Sequence, residues 1–293
     1  WDKYEETYTT ALNSGEGPDV GYMYNEMFPT YIDAGAVEDM SSYVTDEDKK
    51  EYKYLSNGNM MDGQYGWPLV TGVPFVLYYN EDILNALGEK APETWDDFAR
   101  ICQEATKDTD GDGKVDQYGF ACGMNTSDIG AMQILNAYYY SALWQNGGQV
   151  YNDDLKSVSF ADEAGKEAVT WLKGLTSYMN EDFMSLSWSD AFSNVFGAGK
   201  AAFGITRSSQ TDGTTFAETY PDLNWNFVTS LKNKDFGTFG ATDCLTLMSA
   251  CEDKDLAMDF IKYVTGSEFM TAYHAKCPGA ALTESEPYVG DEK

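Results

Sequence analysis

The pattern that most constrains this chain is an alternation. Helical periodicities give way repeatedly to single short apolar strands. Trp1, Tyr4, Tyr8, Ala11 and Leu12 recur at helical spacing and stop at Asn13-Ser14-Gly15. A strand is expected from Pro18 to Tyr24, then a helix opening at Pro29 that carries Met27, Tyr31 and Ile32 and ends at Gly35. The continuous apolar run Pro74 to Tyr79 predicts a buried strand, and Asn80-Glu81-Asp82 opens a short helix ending at Gly88. Thr94, with Asp97 three residues on, caps a helix whose core face is Trp95, Phe98, Ile101, Cys102 and Ala105. A strand at Tyr118 to Cys122 precedes a helix over Ile129 to Trp144, ended by Gly147-Gly148. Ala164 to Leu175 and Ala191 to Phe196 mark two more helices. Strands are expected at Lys200 to Thr206, Trp225 to Thr229 and Leu245 to Ser249. Asp253 then caps a helix bearing Leu256, Phe260 and Ile261, and Ser267 caps a last one through Tyr273. This is the α/β pattern. The 293 residues suffice for two domains, and no linker separates two halves. Two domains must therefore share the chain by several crossings.

Charge narrows the partners. The formal net charge is −29, from 19 Lys+Arg against 48 Asp+Glu. Nucleic acid and anionic membrane surfaces both need clustered cations, so neither is an expected partner. No apolar run approaches the length of a membrane span. A single histidine, His274, leaves no His-rich metal site and only one possible triad base. It shares a helix with Met270 and Tyr273, where a structural role is the simpler one. The five cysteines (Cys102, Cys122, Cys244, Cys251 and Cys277) include no C-x-x-C pair and read as scattered free thiols. No phosphate-cradling loop and no nucleophile elbow occurs.

The most specific local motif is Asp108-Thr109-Asp110-Gly111-Asp112-Gly113-Lys114-Val115-Asp116. Carboxylates at positions 1, 3, 5 and 9 and Gly at 6 match an EF-hand-type loop, with Lys114 offering its carbonyl. Position 12, however, is Gly119 rather than Glu. The loop is thus a candidate structural calcium site on Asp108, Asp110, Asp112, Lys114 and Asp116, or else an ion-free acidic turn. No cofactor for catalysis is expected.

Aromatic residues make up 15% of the chain. They gather at expected element ends: Tyr22 and Tyr24, Trp67, Tyr138 to Tyr140 with Trp144, Trp188, and Phe236 with Phe239. Sugars offer flat C–H faces and a rim of hydroxyls, so a sugar site wants aromatic platforms beside polar side chains. Such pairings occur at Tyr24 with Glu26, Asn136 with Tyr138, Trp188 with Asp190, and Phe239 with Asp243. Each ring has core packing as its alternative. Arg207, at a strand end before Ser208-Ser209-Gln210, is a candidate clamp for hydroxyls or a carboxylate, or else a surface charge.

The order of motifs then resembles a family. Ala11-Leu12-Asn13-Ser14-Gly15-Glu16-Gly17-Pro18-Asp19-Val20 is similar to a segment of the extracellular solute-binding proteins of ABC sugar importers, the family of maltose-binding protein. In the same order follow Ala34 to Met40, Tyr65-Gly66-Trp67-Pro68 with Leu77 to Asn80, and Pro92 to Phe98. Trp144 to Gly148, Phe196 to Phe203 and Ala257 to Ile261 complete the series. The resemblance implies a two-lobed, type II periplasmic-binding-protein-like fold, each lobe a sheet flanked by helices, with a cleft between them. It implies residues 1–72 and 241–293 in the N-terminal lobe and 73–240 in the C-terminal lobe. It implies a piece shortened at both ends, with a signal and lipid anchor upstream of Trp1. The implied protein is a monomer at the cell surface or in the periplasm. It closes by hinge motion on a mono- or oligosaccharide and delivers it to a permease. The ligand-contacting positions carried over are Tyr22, Tyr24, Glu26, Thr71, Asn136, Tyr138, Trp188, Thr206, Arg207, Gly240 and Asp243. Where a familiar relative has a Trp platform, this chain has Thr206 and Arg207.

Two readings of other classes stand beside it. A glycosidase or lyase would need one carboxylate pair or base with a shifted pKa, and 48 acids single out none. A calcium-stabilised surface protein would bind no small molecule. Within the family, Glu26 leaves a cationic ligand open and Arg207 points the other way.

Overall fold

The computed structural model describes residues 4–126, 130–152, 157–207, 214–274 and 276. Trp1, Ile129, Ser208 to Gln210 and Cys277 lie outside the described residues. Among those described, the strands are β1 (Val20–Tyr24), β2 (Asn59–Met60), β3 (Gly63–Gln64), β4 (Trp67–Asn80), β5 (Tyr118–Ala121), β6 (Ala201–Arg207), β7 (Trp225–Val228) and β8 (Gly240–Leu247). Helices separate most of them, as the alternation predicts.

The chain divides into two units. Described residues up to Val73 and from Gly240 form one; Pro74–Phe239 form the other. The chain passes between them inside β4 and again at the start of β8.

In the first unit β1 pairs antiparallel with β8, Val20 opposite Leu247 and Tyr24 opposite Asp243. The strand expected at Leu245 to Ser249 begins five residues earlier. Asp243 gives no apolar signal, yet it and Cys244 complete the ladder to β1, opposite Tyr24 and Met23. Met40, Trp67, Leu247 and Ile261 are fully buried in one cluster, and Met23, Phe28, Cys244 and Met248 in a second. Asp253 caps the helix Lys254–Thr265 by accepting the Leu256 N–H at 3.1 Å. Ser267 does not act as expected. It is the first residue of the helix Ser267–His274, and its hydroxyl donates to Glu51 at 2.8 Å. The Glu51 carboxylate also takes the Ser267 N–H at 3.4 Å, so a residue distant in sequence supplies the anion that this helix end favours.

In the second unit the latter half of β4 is flanked on both sides. It runs antiparallel to β6, Phe75 opposite Arg207, and to β7, Leu77 opposite Val228. β5 joins the far side of β6 in parallel. That enclosure explains the uninterrupted apolar run at Pro74 to Tyr79. Phe98, Ile101, Phe120, Leu175 and Phe203 are buried at the centre of this core. The helix Trp95–Ala105 starts with the expected reciprocal cap between Thr94 and Asp97. The helix expected over Ile129 to Trp144 contains a π turn at Leu135–Tyr139. The wider turn rotates the helix face, so that Asn136, Ala137 and Tyr138 are buried in succession. Cys102, Cys122, Cys244 and Cys251 are buried free thiols.

One polar anchor in the first unit lends itself to a test. Asp48 is buried, and its Oδ2 accepts from Lys262 Nζ at 2.7 Å and from the Thr45 N–H and hydroxyl at 2.8 Å each. Lys262 also donates to the Tyr43 carbonyl at 2.8 Å and lies 5.2 Å from the Trp67 ring centre. Burial alone would raise the Asp48 carboxyl, but the Lys262 and Thr45 hydrogen bonds outweigh it and hold it below its ordinary value. A depressed folded-state pKa gives stability that is present above the unfolded value and lost as pH falls. Asp48→Asn should therefore cost about 1–2 kcal/mol in urea unfolding at neutral pH, since Lys262 stays partly solvated. The difference from wild type should shrink as pH falls below about 4.

Candidate functional site

Each unit contributes a distinct polar and aromatic cluster. In the first unit, β1 alternates, so that Val20, Tyr22 and Tyr24 share the half-buried face while Gly21 and Met23 are buried on the other. Tyr22 donates its hydroxyl to Asp243 Oδ2 at 2.5 Å, reaching diagonally across the β1–β8 ladder. Tyr4 donates its hydroxyl to the Tyr22 carbonyl. Burial first, and then the hydrogen bond to Asp243, push the Tyr22 hydroxyl far up, so it remains a donor. Glu26 is exposed on the turn Asn25–Met27. Thr71 is buried, and its hydroxyl has no partner among the described residues. Gly240 is exposed at the start of β8. Asn57 donates to the Thr242 hydroxyl at 3.1 Å, fixing the strand next to Asp243.

In the second unit, rings form a continuous series. Trp144 and Phe239 are parallel within 6° at 6.3 Å, with Tyr140 against both at 5.7 and 5.9 Å. Phe239 meets Phe75 at 6.3 Å, and Phe75 meets the edge of Trp188 at 5.6 Å. All but Phe75 are half-buried residues. Backbone and amide contacts hold the series. The Phe75 N–H donates to the Phe239 carbonyl at 2.9 Å, and the Phe239 N–H to Ser141 at 3.2 Å. Gln145 accepts from the Trp95 indole and donates to the Gly237 carbonyl, both at 2.8 Å. A side chain at Gly237 would place its Cβ 2.8 Å from that of Trp144, so the loop approaches this helix only with glycine there.

Arg207 closes the series. Its guanidinium carbon lies 5.5 Å from the Phe75 ring centre and 6.0 Å from that of Trp188. Nη2 donates to the buried Gln133 Oε1 at 3.2 Å, while the enclosed Nε has no acceptor among the described residues. Cation–π attraction and one neutral acceptor hold the charge in place.

The structure thus gathers Tyr22, Tyr24 and Asp243 in one unit, and Trp188 and Arg207 in the other. Tyr138 sits in the second core, edge-on to Phe120 at 5.9 Å, its hydroxyl accepting the Gly123 N–H at 3.3 Å. Asn136 and Thr206 are also buried, Thr206 opposite Val76 on the other face of β6 from Arg207. Phe75 and Gln133 were not singled out in the sequence. Phe75 was hidden in a strand run that reads as core, and Gln133 is one polar residue in a helix. The signal that could have found Phe75 is the antiparallel pairing that sets it beside Arg207.

The acidic loop folds on itself. Asp108 accepts the Gly111 and Gly113 N–H groups at 2.6 and 2.8 Å, and Asp116 accepts from Thr109. Carboxylate oxygens of Asp108, Asp110 and Asp116 lie within 4.8 Å of one another. Asp112 accepts the Lys114 N–H at 2.8 Å. Glycine at position 12 of the loop has a structural cause. A Cβ on Gly119 would lie 2.3 Å from the Cys102 carbonyl oxygen, so no Glu fits there.

Comparison with known proteins follows the same lines. A binding protein of Brucella abortus (strain 2308) is 24% identical over 279 residues, covering 90% of this chain and 62% of its own length. The chain thus spans less than two thirds of that relative. The multiple sugar-binding protein of Streptococcus mutans is 33% identical over 104 residues, 34% of this chain and 24% of that one. Among solved structures, an ABC transporter solute-binding protein of Thermotoga lettingae bound with α-D-tagatose superposes with a TM-score of 0.76 at 18% identity, covering 96% of this chain and 71% of that one. The maltose/maltodextrin-binding domain of Bdellovibrio bacteriovorus bound to maltotriose gives 0.72 at 15% identity, covering 96% and 70%. These likenesses give the fold, that of the two-lobed periplasmic binding proteins. The family described as bacterial extracellular solute-binding protein matches residues 1–285, and the chain belongs to that family.

Proposed function

We propose that this chain is the ligand-binding component of an ABC importer, that its ligand is a carbohydrate, and that it works outside the cytoplasmic membrane without turning the ligand over. The observation that carries the reading is the ring series Trp144–Phe239–Phe75–Trp188 ending on Arg207. Half-buried rings beside a fixed donor are what a sugar's C–H faces and oxygens require. Tyr22, Tyr24, Glu26, Thr71, Gly240 and Asp243 are the proposed contacts from the first unit. The family and the sugars named for similar proteins support the same class. Ligand-driven closure would be a population shift, driven only by the ligand's differential affinity for two arrangements of the chain.

We also propose a structural Ca²⁺ on the acidic loop. Asp108, Asp110, Asp112 and Asp116 are the hard oxygen donors, with the Lys114 carbonyl among the candidates. The clustering of three carboxylates on one point supports it. Gly111 and Gly113, at φ +81° and +92°, allow the backbone to wrap that point.

Three outcomes are expected. In a thermal-shift and calorimetry screen of mono- and oligosaccharides, at least one should bind and none should be consumed; turnover of any would instead make the protein an enzyme. Trp188→Ala should weaken that binding by about 1–3 kcal/mol while leaving the ligand-free melting temperature nearly unchanged. Scattering should record a smaller radius of gyration with ligand than without. Separately, Ca²⁺ should raise the melting temperature, EGTA should reverse it, and Asp110→Ala with Asp112→Ala should abolish the response. A melting temperature indifferent to both reagents would remove calcium from the account.

A further inference from the structure

The chain has two arginines, and their surroundings differ sharply. Arg100 is exposed and ringed by carboxylates. It donates to both oxygens of Glu89 and also reaches Glu104 and Asp97, at 3.5 and 3.8 Å. Arg207 is half-buried on two aromatic rings, and among the described residues no carboxylate comes within ion-pair distance of it. Its only hydrogen-bond acceptor among them is the neutral amide of Gln133, itself 2% exposed, and its Nε is enclosed without an acceptor.

That arrangement is unusual on energetic grounds. A guanidinium cannot shed its proton, so what is buried of it is compensated by ring faces, by acceptors or, most strongly, by an anion. The chain has 48 carboxylate side chains and brings none of those described to this cation. The position is nonetheless well defined. The β4–β6 register sets Arg207 opposite Phe75, and Gln133 fixes one N–H of Nη2. Nη1 and Nη2 keep N–H groups beyond the one given to Gln133, and a guanidinium fork accepts a carboxylate through two parallel bonds.

We propose that the ligand is an acidic sugar, a uronate or an oligosaccharide ending in one, and that Arg207 is the residue that receives its carboxylate. The inference rests on the carbohydrate reading above and specifies it. The half-buried rings of Trp188, Phe239 and Trp144 take the C–H faces of the sugar, and Arg207 supplies the charge that the rest of this acidic protein lacks there. An acidic ligand approaching a chain of charge −29 gains nothing from long-range steering. Selectivity then comes from the short-range contact and is expressed in the dissociation rate.

The test compares three forms of one sugar on the full chain by calorimetry: the neutral sugar, its uronic acid, and the methyl ester of that acid. The probes are galacturonate and glucuronate, free and as di- and trisaccharides, with the corresponding galactose and glucose compounds. The expected result is that one uronate binds about tenfold or more tighter than both its neutral partner and its methyl ester. Arg207→Gln should erase that preference, bringing the uronate, its methyl ester and the neutral sugar to within about threefold of one another. The wild-type comparison of acid against ester stands even if the variant does not fold. Neutral sugar or ester binding as tightly as the acid overturns the inference and leaves the carbohydrate reading intact. Absence of binding by any neutral or acidic sugar overturns both.

Discussion

The register of β4 on β6 decides what the second unit can hold. Directly opposed residues of an antiparallel pair point to the same face, and a slip of one residue turns every side chain to the other. With Phe75 opposite Arg207, the cation lies against a ring, and Thr206 turns inward opposite Val76. The same strand then fixes Phe239 through the Phe75 N–H, and Phe239 aligns with Tyr140 and Trp144. Trp188 meets Phe75 as well, so one pairing organises five rings drawn from four separate segments.

Charge is distributed in a way that the total conceals. A value of −29 suggests a uniformly acidic surface. Several cations are matched locally: Lys262 to Asp48, Arg100 to Glu89, Lys254 to Glu38 and Lys234 to Glu167. Exposed pairs of this kind add little stability. The Asp48–Lys262 pair is the more consequential, because its carboxylate is buried and further bonded by Thr45. Arg207 has no carboxylate partner among the described residues, and it sits among the rings.

Glycine and polar anchors set the local limits of the fold. Gly119 allows β5 to pass against the Cys102 backbone and thereby excludes the acidic residue that would complete an EF-hand loop. Gln145 ties the Trp95 indole to the loop at Gly237, and Glu51 rather than Ser267 supplies the acceptor at the last helix. Each is a long-range contact made by a residue whose neighbours in sequence give no hint of it.

Much of the architecture was legible in the sequence because its causes are local. The cap at Thr94 and Asp97, the amphipathic face of Trp95–Ala105 and the apolar run at Pro74 to Tyr79 each follow from short-range propensity and periodicity. The order of motifs sufficed to name the family. The early start of β8 and the π turn at Leu135–Tyr139 were not legible, because a strand edge is set by its partner and a widened turn by packing. The candidate site divides the same way. Trp188 and Arg207 stood out as residue types, and Tyr22, Tyr24 and Asp243 as positions. That Arg207 rests on Phe75 and Gln133, and that Tyr22 bonds Asp243 221 residues away, was decided by tertiary structure alone. Sequence determines which groups exist and how each segment prefers to fold. Which groups meet depends on strand register and on closing long loops, and no local pattern encodes either.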